Sequence, residues 1–194
     1  NGQRIQNAQN DFVGDDWVRN VRANGILSEK PFYIFDKPGA DMGYIRENLR
    51  WMRKRFPGQH VVVIIDYLQL ITGDPKLKGN RQQEVSDISK GLKNFAREFD
   101  MTIIALSQLS RKVEERADKR PMLSDLRESG SIEQDADVIA FLFREDYYDK
   151  ETEAQNIIEI NIAKQRNGPV GTVSLAFVKE YSKFVNIAIP NREE

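Results

Sequence analysis

Cysteine is absent from this 194-residue chain, and histidine occurs once, at His60. The first absence excludes disulfide scaffolds, cysteine-ligated zinc and thiol catalysis, and it is compatible with a reducing compartment. The second removes the usual Ser-His triad and any cluster of histidine metal ligands. An excess of one charge is also missing: 29 basic against 30 acidic residues leave a net charge of −1. Bulk attraction to nucleic acid is thereby ruled out, and any DNA contact must be local. No apolar run approaches the roughly 20 residues that span a bilayer. The first residues, Asn-Gly-Gln-Arg-Ile-Gln-Asn, lack the apolar region of a signal peptide, so a cytoplasmic location is expected. The phosphate-cradling string G-x-x-x-x-G-K-[ST] occurs nowhere. What remains, 40% hydrophobic and 30% charged residues, describes one globular domain with a substantial core.

The apolar pattern predicts an α/β order of elements. Residues 15–24 read as a short helix opened by Asp15 and stopped by Gly25, and Phe32–Asp36 as a strand. Asp41 caps a helix whose Ile45, Leu49, Met52 and Phe56 form one stripe. Cations at Arg50, Arg53, Lys54 and Arg55 suit the end of that helix. Val61–Ile65 runs without a polar break into Asp66, as expected of a strand buried on both faces of a parallel sheet. Residues 71–83 show no periodicity and read as a loop, and Val85, Ile88, Leu92, Phe95 and Phe99 mark an amphipathic helix. Met101–Leu106 and Asp137–Phe143 are two further buried strands. Alternation over 156–164 and 172–178 around Asn167-Gly168 signals an antiparallel hairpin, and Tyr181–Ile189 a last short strand.

Four places carry possible chemistry. Asp66, at the carboxyl end of its strand, suits either a turn cap or a Mg²⁺ ligand. Gln108 ends the next strand at the same edge, where its amide could sense a γ-phosphate, orient water or satisfy backbone groups. In Leu126-Arg127-Glu128-Ser129-Gly130-Ser131 a glycine between serines leaves N–H groups open to phosphate, and Arg127 adds a cation. Glu128 would repel phosphate, which makes it an organiser of that loop. The same string also reads as a helix start, with Ser131 as cap and Glu133 in the first turn. Lys164 and Arg166 lie two apart and so share one face of a strand, an awkward pair of like charges unless an anion lies opposite them; the other reading is a solvated turn with ordinary surface charges. The runs Arg111–Arg120 and Arg144–Glu153 mix both signs and read as solvated faces.

Taken together, Ile65-Asp66-Tyr67-Leu68-Gln69-Leu70, Ala105–Arg111, Asp118-Lys119-Arg120-Pro121, Asp125–Asp137 and Lys164-Gln165-Arg166-Asn167-Gly168-Pro169 resemble the C-terminal motor domain of the DnaB-type replicative DNA helicases. The order and spacing are also the family's, from about Asp15 to Phe184. The resemblance implies a RecA-like P-loop NTPase core: a mainly parallel sheet flanked by helices, with antiparallel hairpin strands at the C-terminal end. It implies one partial ATPase domain over residues 1–189 and a tail over 190–194. By the same resemblance Asp66 holds Mg²⁺, and Gln108 responds to the γ-phosphate. Arg127, Glu128 and Gly130 line the pore along single-stranded DNA, and Lys164 and Arg166 reach a neighbouring subunit's ATP. ATP, Mg²⁺, single-stranded DNA, a homo-hexameric ring, a primase and a helicase loader are the implied cofactors and partners.

The family's phosphate loop and catalytic glutamate have no counterpart between Asn1 and Glu194. The strand that carries that loop lies, in such sheets, between those at 102–106 and 137–143, so a gap is expected there. The 194 residues alone are expected neither to hydrolyse ATP nor to unwind DNA. Two other readings share parts of the pattern: a non-catalytic module for DNA binding or ring assembly, and another RecA-like ATPase. The loop at 127–130 and the string at 164–169 speak against the latter.

Overall fold

The computed structural model describes residues 13–77 and 79–187, with the backbone alone at 127–129. The described residues fall into two compact units, one within 37–143 and 160–172, the other within 13–36, 144–159 and 173–187. The expected tail, 190–194, lies outside the described residues.

In the first unit, α2 (Met42–Arg55) begins where Asp41 accepts the Tyr44 N–H at 2.8 Å, the predicted cap. α3 (Arg81–Glu98) begins at Asn80, whose side chain accepts the Gln83 N–H. β1 (Val62–Ile65) and β2 (Thr102–Ala105) pair in parallel, Val62 opposite Thr102 and Ile65 opposite Ala105. The predicted stripes meet here. Leu49 packs with Val61, Phe99 and Met101, while Val85, Ile88 and Leu92 enclose Leu68 and Ile71. Arg53 fastens the two helix ends, donating to the carbonyls of Phe99 (2.7 Å) and Gln59 (2.9 Å). The segment expected to be a loop holds a short 3-10 turn, Pro75–Leu77, and Thr72 bridges to Asp41.

The strands are not buried on both faces. Val62 and Ile64 are 52% and 64% exposed, because α2 and α3 cover only the opposite side among the described residues. β3 (Val138–Phe143) likewise alternates, with Ile139, Phe141 and Phe143 buried and Val138 and Leu142 exposed. It belongs to a second sheet of order β3-β4-β5-β6, with β4 at Ile157–Gln165, β5 at Gly171–Val178 and β6 at Lys183–Asn186. Among the described residues β2 and β3 are not paired, as expected if another strand separates them in such sheets. Consecutive β4 and β5 adjoin as the hairpin pattern required, and β5 and β6 are antiparallel. β6 begins later than the expected Tyr181, since Lys179–Tyr181 forms a 3-10 turn and Ser182 takes a left-handed φ of 49°, and residues 188–189 of the expected strand lie outside the described residues.

Two expectations fail in the second unit. α1 (Asp16–Ser28) continues through Gly25, where nothing forces a positive φ, and ends three residues later. Phe32–Asp36 forms no strand. Two further short helices are α4 (Gly130–Asp135) in the first unit and α5 (Glu145–Tyr148) in the second.

Candidate nucleotide and nucleic-acid site

The parallel register of β1 and β2 brings their carboxyl ends to one edge, so Asp66 and Gln108 leave adjacent strands side by side. Both are exposed, and neither side chain has a hydrogen-bonding or ionic partner among the described residues. Gln69, which sequence reasoning did not single out, fixes this edge. Its amide nitrogen donates to Ser107 Oγ (3.0 Å) and the Gln108 carbonyl (3.3 Å), and its oxygen accepts the Gln108 N–H (3.2 Å). A cleft of about 440 Å³ opens beside these groups, lined among others by Gln69, Gln108, Arg111 and Lys112.

Arg127 and Glu128 lie in a 3-10 stretch, Leu123–Ser129, that leads directly into α4 at Gly130; their side chains lie outside the described residues. Ser131 does not cap the helix. It sits inside the first turn and donates to Ser86 Oγ at 2.9 Å. Ser89 donates to Asp135 at 2.8 Å, and Lys93 pairs with Asp137. Ser86, Ser89 and Lys93 are spaced three and four apart, so one face of α3 carries the whole 131–137 segment. The Lys93 hydrogen bond, opposed by desolvation and aided by the charges of Lys93 and Arg166, holds the Asp137 carboxyl below its ordinary range.

The awkward pair of cations finds its acceptors here. Lys164 donates to the Glu133 carbonyl and Arg166 to that of Gln134 at 2.7 Å, so both sit on the carbonyl end of α4. Arg166 also lies 3.4 Å from the Asp137 carboxylate. Cations at a helix C-terminus answer its negative end, which relieves their mutual repulsion within one chain.

The two mixed-charge runs are not simply solvated. Within the first, Arg116 forks onto buried Asp125, and within the second Asp146 is 2% exposed and meets Arg144 at 2.8 Å and Lys179 at 3.2 Å. Sequence offered no signal for either beyond charges of opposite sign close together. His60 lies 3.2 Å from Thr102 Oγ1, and no group of three or more acidic or histidine side chains among the described residues could hold a metal.

The exits of the parallel pair thus carry a lone acid and an amide, and one face of α3 holds the neighbouring loop and helix. Residues 1–186 match the model of the DnaB-like helicase C-terminal domain, and the chain belongs to that family. It is 60% identical over 185 residues to the replicative DNA helicase DnaC of Bacillus subtilis (strain 168), and 57% identical to DnaB of Geobacillus stearothermophilus. Each alignment covers 93% of this chain and 40% of the relative, so the chain spans about two fifths of those proteins' length. Among solved structures it is similar to one described as an ATPase domain, with a TM-score of 0.91 and 55% identity over 97% of this chain and 66% of that one. A DnaB-like replicative helicase studied with its primase interactions gives 0.90 and 55%, over 97% of this chain and 45% of that one. The α/β ATPase-domain fold expected from sequence is therefore the observed one.

Proposed function

We propose that this chain is the motor domain of a hexameric replicative helicase, one that couples ATP hydrolysis to movement along single-stranded DNA and to duplex unwinding. Residues 1–189 act in this proposal as one partial RecA-like ATPase domain. The observation that carries it is the emergence of Asp66 and Gln108, unpartnered among the described residues, from adjacent parallel strands at one edge. A lone exposed carboxylate suits Mg²⁺, which takes one or two protein carboxylates and completes its shell with water and phosphate oxygens. Bound by Asp66, the ion would supply charge neutralisation on the β- and γ-phosphates. Gln108 senses the γ-phosphate, Arg127 and the Gly130 backbone follow the DNA strand with Glu128 ordering the loop, and Lys164 and Arg166 serve a neighbour's ATP. The primase interactions described for a similar helicase structure support extending primase contact to this protein, and family membership supports a loader and a ring. No helix among the described residues is long and apolar enough to cross a membrane, which agrees with the cytoplasmic placement included in this proposal.

The sequence contains no G-x-x-x-x-G-K-[ST] string, so the motor reading requires a phosphate cradle from outside these 194 residues. That observation also favours the second reading, a module that binds DNA or builds rings without catalysis. One measurement separates them. In the full-length protein, Asp66→Ala should lower Mg²⁺-dependent ATPase and unwinding by about a hundredfold or more, the effect of losing several kcal/mol of charge stabilisation. The chain alone should show neither activity. Unchanged ATPase in the full-length variant would sink the motor reading.

A further inference from the structure

We infer that Arg116, through its grip on Asp125, is the positioning residue that ties the 127–130 loop to the strand end bearing Gln108. The inference rests on the proposed function and adds the link between its two halves. Asp125 is 5% exposed, and both of its carboxylate oxygens take the Arg116 fork, at 2.9 and 2.8 Å. The same carboxylate accepts the Met122 N–H at 2.8 Å. The Asp125 carbonyl meanwhile accepts the Ser110 N–H at 3.1 Å. Ser110 stands two residues beyond Gln108, and Arg127 two residues beyond Asp125. A single hydrogen bond therefore joins the two short peptide segments, with only Leu109 and Leu126 intervening. Those two leucines share one apolar cluster, so the link is packed as well as bonded.

Arg116 completes the device by closing its own turn, donating to the carbonyls of Asp118 (3.3 Å) and Arg120 (2.8 Å). Four acceptors around one planar guanidinium leave the Asp125 side chain a single orientation, and no ammonium reproduces that fork. The other end of the path is equally fixed, since Gln69 holds the Gln108 backbone against the exit of β1. A displacement of Gln108 is thus carried to the base of the DNA loop through a chain of fixed groups rather than through a free linker.

The test uses the full-length protein, with ATPase measured with and without oligo-dT, and oligo-dT affinity measured with a non-hydrolysable ATP analogue and with ADP. Arg127→Ala serves as the reference for loss of DNA contact. Arg116→Lys keeps the charge and loses the fork. It should leave the DNA-free ATPase rate and the Tm close to the parent's, while DNA stimulation and the analogue-to-ADP affinity ratio each fall about tenfold. Ser110→Pro is the independent variant, read against Ser110→Ala, and Ser110 has φ −62°, which proline accepts. Both substitutions remove the hydroxyl that accepts the Lys112 N–H at 3.4 Å, but only proline also deletes the N–H donated to Asp125, with the Arg116–Asp125 pair left in place. Ser110→Pro should show the same uncoupling. If the parent responds to oligo-dT and Arg127→Ala abolishes the response, but both variants keep the parent's ratios, the inference is overturned. A proportional fall in DNA-free and DNA-stimulated rates together with Tm also overturns it, because that is the mark of a structural pair. A parent with no response to DNA overturns the proposed function itself.

Discussion

Gly130 opens α4 at φ −51° and ψ −20°, an ordinary right-handed conformation, and a Cβ built there meets nothing within 4 Å. The fold therefore has no need of glycine at this position. Alanine should stabilise the protein by about 0.4–1 kcal/mol, mainly by restricting the unfolded chain. If the bare backbone is there for a DNA strand to approach, Gly130→Ala should nonetheless weaken oligo-dT binding severalfold. Denaturation and fluorescence titration of the same preparation check both signs at once, and binding equal to the parent's would remove Gly130 from the interface. Residue by residue, the groups legible in the sequence were those whose neighbours are sequential. Asp66 and Gln108 end obvious apolar runs, so their placement followed from the strands alone. Arg116, Asp125 and Gln69 were hidden because their partners lie across a turn or on an adjoining strand, and a mixed run of charges does not say which pair will be buried.

At the scale of elements, stripes and caps were readable, whereas burial on both faces was not. An uninterrupted apolar run says that two faces are apolar and leaves open what covers them; here β1 and β3 each expose one face among the described residues. The connection between β3 and β4 was misread in the other direction. Its Asp146 takes the Arg144 guanidinium, the Asn156 N–H at 3.1 Å and Lys179, and Arg144 stacks over Phe177 with its guanidinium carbon 5.0 Å from the ring centroid. The Arg144 hydrogen bond is the main cause that brings the Asp146 pKa from 3.8 down to about 2, against the opposing effect of burial. A carboxylate depressed on folding stabilises fully above its unfolded pKa, and the contribution is lost as pH falls through the folded one. Denaturation midpoints should therefore decline as pH drops from about 4 towards about 2. Asp146→Asn should cost about 1–3 kcal/mol at neutral pH by leaving Arg144 and Lys179 uncompensated, and should flatten that acid limb. An acid limb as steep in the variant as in the parent would assign it to other carboxylates.

For the whole molecule, the informative fact is that the proposed trans-acting cations already have partners in their own chain. Lys164 and Arg166 lie on the carbonyl end of α4, the helix that begins at the 127–130 loop proposed to follow DNA. To serve a neighbour's triphosphate they must leave the Glu133 and Gln134 carbonyls, and Arg166 the Asp137 carboxylate as well, for a multiply charged acceptor, which frees the end of α4 at the same moment. A head-to-tail ring has one such interface per subunit, each assembled from two chains. The shared-site claim can then be tested by mixing. On the proposed roles Asp66→Ala subunits would lack the metal ligand and Arg166→Ala subunits the finger, so each homogeneous ring should be nearly inactive. In an equal mixture about a quarter of the interfaces, the product of two even chances, would combine an intact Asp66 with an intact Arg166 from the next subunit. ATPase should recover towards that fraction after subunit exchange. Activity that stays at the average of the two homogeneous rings would mean that Arg166 works within its own chain, holding α4 and nothing beyond it.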